Sequence, residues 1–145
     1  MIVLDTNVVS EIMRPRPDAE VLAWLDAQAA TDLWLTSTVA AELMFGVARL
    51  PDGARKQQFA RSVSGMLERD FAGRVLPFDL AAASLLADLL ARRERAGQAL
   101  ALADAQIASV CLVHRATLAT RNQQHFEGIG LAIVNPSAAA APMGA

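Results

Sequence analysis

Three acidic residues, Asp5, Glu42 and Asp104, stand at positions where a carboxylate is expected to face a functional site. Asp5 directly follows a short run of apolar residues that is typical of a strand buried on both faces. Ligands bind at the carboxyl ends of the strands in an open α/β sheet, so an acid at this point is well placed for a site. Asp5 could instead cap the helix that follows, although Thr6 or Asn7 could also serve as that cap.

Glu42 falls on an apolar stripe of a predicted helix over residues 39–49, for which the polar residues 36–38 supply several possible caps. We place it in the first turn of that helix, three residues after Val39 and four before Gly46. A capping box does not account for it: with Ser37 or Thr38 as the N-cap, the reciprocal acid would stand at position 40 or 41, and both are alanine. A favourable interaction with the helix dipole remains as an alternative.

Asp104 is predicted to open a helix over residues 103–113, with Ile107, Ala108 and Cys111 on the same apolar stripe. A plain N-cap is the main alternative explanation for this acid. Several carboxylates that converge on one point repel each other unless a hard cation lies between them. The three acids together therefore predict a site for Mg²⁺ or Mn²⁺.

Other chemistries lack their characteristic residues. The two histidines, His114 and His125, do not stand at zinc-ligand spacing from Cys111, and the chain has neither an HExxH nor a CxxC pair. His114 is expected at a helix end as a C-cap or dipole partner, and Cys111 as a buried thiol in an apolar run. The dinucleotide, P-loop and α/β-hydrolase motifs GxGxxG, GxxxxGK[ST] and GxSxG are all missing.

The overall composition predicts one folded domain. The chain has 145 residues, 54% of them hydrophobic, which suits a single core. No apolar run is long enough to span a membrane and the N-terminus has no signal-peptide pattern, so we expect a cytoplasmic protein. The net charge of −2 argues against binding nucleic acid mainly through a basic face, although cations held by the acids would restore positive potential locally.

Short β-like runs alternate with helical stretches along the chain, which predicts an α/β domain with a largely parallel sheet. Asp18 and Asp79 are expected to cap helices. The domain is expected to span residues 1–136, and the tail 137–145 to be flexible because it has nothing to pack against. Strands are predicted at residues 2–4, 33–35, 75–78, 117–120 and 131–134, and helices at 8–13, 19–29, 39–49, 54–69, 80–96 and 103–113.

Three segments resemble a known family. MIVLDTNVVSEIMR, STVAAELMFGVARL and LALADAQIASVCLVHRATLATRNQQHFEGIGLAIVNP are similar, in order and spacing, to PIN-domain ribonuclease toxins of the VapC type, particularly the FitB-like branch. The similarity extends over residues 1–136. The resemblance implies a three-layer α/β/α fold, Mg²⁺- or Mn²⁺-dependent endoribonuclease activity, a homodimer, inhibition by a cognate antitoxin, and contact with operator DNA only through that antitoxin.

The resemblance also assigns site residues. The acidic positions of the family fall on Asp5, Glu42 and Asp104, and its fourth position falls on Asn122, which departs from the four-acid pattern because asparagine is neutral. We expect Asp5 and Asp104 to hold one metal, with Glu42 bound directly or through water, and a second metal only when RNA adds phosphate oxygens. Asn122 would orient a water or the substrate.

Three further residues belong to the resembling segments. Thr6 and Thr120 are expected to hydrogen-bond the acids or the attacking water. His125 stands where many relatives have aspartate, and we expect it to form a hydrogen bond that packs its segment next to Phe126 rather than to act as a base.

The expected reaction is attack of a metal-activated water on an RNA phosphodiester, with Glu42 accepting a proton from that water. Two other functions remain open at this point. The protein could be a weakly catalytic partner of an antitoxin that occupies operator DNA as a complex. It could also be a metal-dependent phosphatase or a DNA nuclease, since Mg²⁺ bound by carboxylates serves phosphate esters generally.

Overall fold

A computed structural model describes residues 1–137 of the chain, and a parallel sheet runs through the middle of the protein. The strands are β1 (Ile2–Leu4), β2 (Leu33–Thr36), β3 (Val75–Leu76), β4 (Thr117–Ala119) and β5 (Ala132–Val134), side by side in the order β3-β2-β1-β4-β5. The described helices are α1 (Thr6–Ile12), α2 (Ala19–Asp26), α3 (Ser37–Ala48), α4 (Ala54–Gly65), α5 (Leu80–Arg95) and α6 (Leu102–His114). The predicted α/β class with a parallel sheet of about five strands is confirmed.

Both faces of the sheet are covered. Val3 and Leu4 are successive residues of β1, and Leu118 and Ala119 are successive residues of β4; all four are buried. Successive side chains of a strand point to opposite faces, so helices must cover the sheet on both sides. This is the three-layer α/β/α arrangement that the sequence resemblance implied.

Polar side chains start several of the helices. The carboxylate of Asp18 accepts the Glu20 N–H and that of Asp79 accepts the Ala82 N–H, so both predicted caps are confirmed. The cap of α3 is one of the candidates that the sequence offers at residues 36–38. Thr36, the last residue of β2, is extended and its hydroxyl accepts the Val39 N–H, so that neither Ser37 nor Thr38 is the cap.

Several predicted boundaries also need correction. α1 begins at Thr6 rather than at residue 8, and α2 ends at Asp26 rather than near residue 29. β3 ends before Pro77, because proline cannot donate a ladder hydrogen bond. The expected helix over 54–69 ends as α4 at Gly65 and continues as a π-helical turn, and His114 is the last residue of α6 while Arg115, in a left-handed conformation, is its C-cap.

The remaining expectations concern Cys111, membrane-spanning segments and the C-terminal tail. Cys111 is buried as predicted, and burial raises the pKa of its thiol to about 12, so the reactive thiolate is scarce at neutral pH. None of the helices between residues 1 and 137 combines the length and the apolar character that crossing a membrane requires. Of the predicted flexible tail, residues 138–145 lie outside the described residues.

The order of the strands determines where a site can form. From β1 the chain moves to β2 on one side and later returns to β4 on the other side, so β1 and β4 flank the point where the winding of the sheet reverses. Crevices at such points are the usual binding sites of open α/β sheets. Asp5 follows β1 there, and its N–H donates to Ala119 O at 2.9 Å.

Candidate metal centre

Asp5 lies at the carboxyl end of β1, where only 4% of it is exposed. Its Oδ1 accepts the N–H of Thr6 at 2.8 Å, and its Oδ2 accepts the Thr120 hydroxyl at 2.8 Å and the Asn7 side-chain amide at 3.3 Å. Asp5 is also the N-cap of α1, so the capping alternative was correct for this residue, and Thr6 and Asn7 are not the caps. The same carboxylate can therefore start the helix and serve a site.

The surroundings of Asp5 favour a bound cation. Burial raises the pKa of its carboxyl; the hydrogen bonds from Thr120 and Thr6 act against this rise, and the nearby charges of Asp104 and Glu42 add to it. The carboxylate is thus desolvated and lies close to two other acids. A divalent cation would reverse both unfavourable effects, because it interacts only with the ionised form.

Glu42 reaches the site from α3. The sequence predicted Glu42 in the first turn of this helix. Because α3 begins at Ser37, Glu42 lies in the second turn instead. Its Oε1 accepts the Thr6 hydroxyl at 2.8 Å. Thr6 and Thr120 therefore hydrogen-bond the acids, as predicted. Glu42 is exposed, in contrast to Asp5, so water can reach its carboxylate.

Asp104 comes from the first turn of α6. Ala101 is the N-cap of this helix and Asp104 is its third residue, so the N-cap explanation for this acid is wrong. The Asp104 Oδ2 lies 3.3 Å from the Nδ1 of His125. We expected His125 only to pack its segment beside Phe126, whose ring centroid is 6.5 Å from the imidazole centroid; instead it also contacts an acid of the site.

Asn122 completes the set of predicted residues. It precedes the 3-10 turn Gln123–Phe126, and its backbone N–H donates to the Thr120 hydroxyl at 3.1 Å. Thr120 thus links the segment of Asn122 to Asp5. The side chain of Asn122 is exposed and lines the same pocket as the three acids.

One pocket therefore brings together all four residues singled out from the sequence: Asp5, Glu42, Asp104 and Asn122. Sequence reasoning missed other residues of its lining. Asn7 was considered only as a helix cap, although its Nδ2 donates to both Asp5 and Thr120. The sequence indicated a packing role for His125, and it showed no signal for the other missed residues beyond an acid and a base three positions apart; these residues are Ser10, Glu11, Arg14 and Arg121.

The donors suit a hard cation that keeps part of its water shell. Within residues 1–137, no three His, Cys, Asp or Glu side chains are arranged so that they could hold a metal ion by themselves. Mg²⁺ is commonly bound by one or two carboxylates, with water and substrate phosphate oxygens as its other ligands. An open pocket with hard oxygen donors fits that mode of binding and does not fit a closed, all-protein cage.

Thr120→Val is expected to lower the free energy of unfolding by about 1–3 kcal/mol. Valine keeps the shape of threonine but removes the hydroxyl that serves both Asp5 and Asn122, at a position that is fully buried. Chemical denaturation measures the change. The matched control is Thr117→Val, the same replacement at the half-buried first residue of β4, which should cost less. Equal losses in the two variants would contradict the linking role of Thr120.

Comparison with known proteins gives consistent matches. The PIN domain family matches residues 2–130. VapC ribonuclease Y4jK from Sinorhizobium fredii is 46% identical over 136 residues, which are 94% of this chain and 97% of that protein. Toxin FitB from Neisseria gonorrhoeae is 39% identical over 136 residues, which are 94% of this chain and 98% of that protein.

Solved structures give the same result for the fold. The crystal structure of FitAcB from Neisseria gonorrhoeae contains a chain that superposes with a TM-score of 0.87 at 39% identity, covering 94% of this chain and 98% of that one. The structure of FitAB bound to an IR36 DNA fragment gives 0.88 at 38% identity, with 94% and 96% covered. On these matches in sequence and fold, the chain belongs to the PIN domain family, in the group that includes VapC and FitB proteins.

Proposed function

We propose that this protein is a Mg²⁺- or Mn²⁺-dependent endoribonuclease and the toxin of a toxin–antitoxin pair. The acids around the proposed metal are Asp5, Glu42 and Asp104, and Asn122 takes the fourth position. The observation that carries the proposal is that one pocket at the β1/β4 crevice gathers these four side chains from four different segments of the chain. Similarity to a relative named VapC ribonuclease supports RNA as the substrate.

A divalent cation bound here would supply a Lewis acid for the phosphodiester and would lower the pKa of a water molecule. Asp5 and Asp104 would be its ligands, and the hydroxyl of Thr120 holds the Oδ2 of Asp5 in place. Glu42 accepts the proton of the attacking water, because its carboxylate is open to solvent and its Oε1 is held by Thr6. Asn122 orients a water or the substrate through a neutral amide.

The experiment that tests this function is digestion of a transcript pool with the purified protein in Mg²⁺, in Mn²⁺ and in EDTA. We expect cleavage of RNA with either metal and none in EDTA. Parallel reactions contain single-stranded DNA and a small phosphate ester. Turnover of either of these without cleavage of RNA would replace the proposal with a DNA nuclease or a phosphatase.

The partners we propose are a cognate antitoxin and, through it, operator DNA. Support comes from the similarity to toxin FitB and to a chain of the FitAB structure that holds a DNA fragment. One observation favours a second function, that of a weakly catalytic partner in such a DNA-bound complex: the neutral Asn122 stands at the fourth position of the pocket. Binding of operator DNA by the complex, together with negligible cleavage in both metals, would favour that second function.

We also propose a homodimer that forms through the exposed end of α3. Phe45, 63% exposed, lies one turn after Glu42 and lines a groove with Phe78 and Ala103. Large exposed apolar side chains around a groove commonly mark a protein interface.

Light scattering during gel filtration is expected to give the mass of a dimer for the wild type and the mass of a monomer for the Phe45→Asp variant. The control Leu22→Asp, at an exposed leucine of α2, should stay dimeric; a monomeric wild type would contradict the proposal.

A further inference from the structure

Glu11 is a buried carboxylate with two arginine partners at the edge of the acidic pocket. It is only 5% exposed, although it lies on the short helix α1 close to the surface. Its Oε2 lies 3.2 Å from Arg14 Nη1 and 3.0 Å from Arg121 Nη1, and its Oε1 accepts the N–H of Asp18 at 3.0 Å. A buried charge is costly unless it is paired and hydrogen-bonded, and both oxygens of Glu11 meet that condition.

The two arginines belong to the same pocket as the metal-binding acids. Arg121 comes directly after Thr120, and its backbone N–H donates to the side-chain oxygen of Asn7 at 3.2 Å. The amide of Asn7 in turn donates to Asp5 Oδ2 at 3.3 Å. Glu11, Arg14 and Arg121 all line the pocket that holds Asp5. The backbone of Arg121 is therefore linked to the candidate metal centre through one chain of hydrogen bonds, while Glu11 holds its guanidinium.

The negative charge of Glu11 lies inside the protein, and the positive charges of Arg14 and Arg121 lie nearer the surface. Glu11 is covered, whereas the side chain of Arg14 is 68% exposed and that of Arg121 is 34% exposed. Asp18, whose Oδ2 lies 3.8 Å from Arg121 Nη2, balances part of the positive charge. The acid thus lies underneath and the guanidinium groups lie at the rim, facing the solvent from which an RNA strand would enter.

A purely structural clamp does not require this arrangement. The pair of Glu11 with Arg121 is sufficient to connect α1 with the segment after β4. Arg14 adds a second, mostly exposed guanidinium to the same oxygen, and ion pairs as exposed as this one contribute little to stability. Guanidinium groups carry several N–H donors in a rigid fork that matches the oxygens of a phosphate. The contacts of both arginines with Glu11, and of Arg121 with Asp18, leave other donors for a ligand.

We propose that Arg14 and Arg121, held on Glu11, bind a phosphate of the RNA backbone next to the phosphodiester that lies at the acids. This inference rests on the proposed ribonuclease function. It assigns phosphate contacts to two arginines of a chain whose net charge of −2 does not suggest them. The ligand is a backbone phosphate, so the contact helps every RNA sequence equally and does not select a base.

The test measures the binding of a short, labelled, mixed-sequence RNA in Mg²⁺ by fluorescence anisotropy at several KCl concentrations. The parent protein carries Asp104→Asn so that the RNA stays intact. Arg14→Gln and Arg121→Gln are each expected to raise the Kd about tenfold at low salt, and each should lower the slope of log Kd against log salt by about 0.7. Arg61→Gln, an exposed arginine of α4, is the matched control and should change neither quantity.

One further variant and one melting measurement distinguish a lost phosphate contact from misfolding. Arg121→Gln leaves Glu11 buried with one partner fewer, so the double variant Glu11→Gln/Arg121→Gln removes that cost; RNA binding as weak as in Arg121→Gln alone supports a direct contact. Arg14→Gln changes an exposed side chain and should melt like the parent.

The possible outcomes separate this inference from the function itself. RNA binding by the arginine variants that equals the parent's would overturn the phosphate site and leave the proposed function intact. Failure of the parent to bind RNA, together with failure of the wild type to cleave it, would overturn the proposed function. A polyglutamate peptide is the second probe: weaker binding of this peptide with unchanged RNA binding would assign the arginines to a protein carboxylate and overturn the inference.

Discussion

Asp104→Asn is expected to reduce cleavage of the transcript pool at least about 100-fold, because it removes one charged ligand of the proposed metal. The fold should survive. The introduced asparagine keeps the shape of the side chain beside His125, and the lost interaction of an acid with the first turn of α6 is worth less than about 1 kcal/mol.

Gel analysis of the digestion measures the loss, and thermal unfolding checks that the variant is folded. The control is Asp88→Asn, the same chemical change on an exposed residue of α5 outside the pocket, which should cleave like the wild type. Unchanged cleavage by a folded Asp104→Asn protein would remove this residue from the site.

Addition of Mg²⁺ or Mn²⁺ to the metal-free protein is expected to raise its melting temperature. A ligand that binds only the folded state at 100 times its Kd adds about 2.7 kcal/mol to the free energy of unfolding, which corresponds to roughly 5–10 °C for a chain of this size. The physical reason is local: burial and the neighbouring acids disfavour the ionised form of Asp5, and a cation offsets both effects.

Differential scanning fluorimetry with and without EDTA measures this shift, with NaCl added so that the ionic strength is equal. Asp5→Asn should show little or no shift, because the ligand charge is gone. Thr117→Val, a change on the neighbouring strand, should shift like the wild type. An equal rise in the Asp5→Asn protein would indicate that the cation binds elsewhere and would contradict the metal centre.

Much of the fold could be predicted because its signals are local. The apolar runs of the strands, the caps Asp18 and Asp79, and the buried Cys111 all follow from the types and spacing of neighbouring residues. The boundaries were less accurate where one residue serves two elements. Thr36 ends β2 and also caps α3, and Asp5 follows β1 and also caps α1, and a single sequence does not show which of several polar residues takes the cap.

For the metal centre, the sequence by itself determined the identity of the candidate ligands. Asp5, Glu42, Asp104 and Asn122 were singled out by their places after a strand, on apolar stripes and in family-like segments, and the structure brings them to one pocket. Their roles in catalysis remain a proposal. His125, by contrast, was assigned to packing, because nothing near it in the sequence shows that it lies against Asp104.

Only the tertiary structure decided the surroundings of those ligands. The contacts of Asp5 with Thr120 and of Glu11 with Arg121 join residues more than 100 positions apart. Such contacts exist because the chain returns to place β4 beside β1. Burial and pairing depend on this crossing and not on residue type, so the desolvation of Asp5 and the arginines on Glu11 could not be predicted. Residue type determines which atoms can bind a cation or a phosphate, and the topology of the sheet determines which of those atoms lie close together.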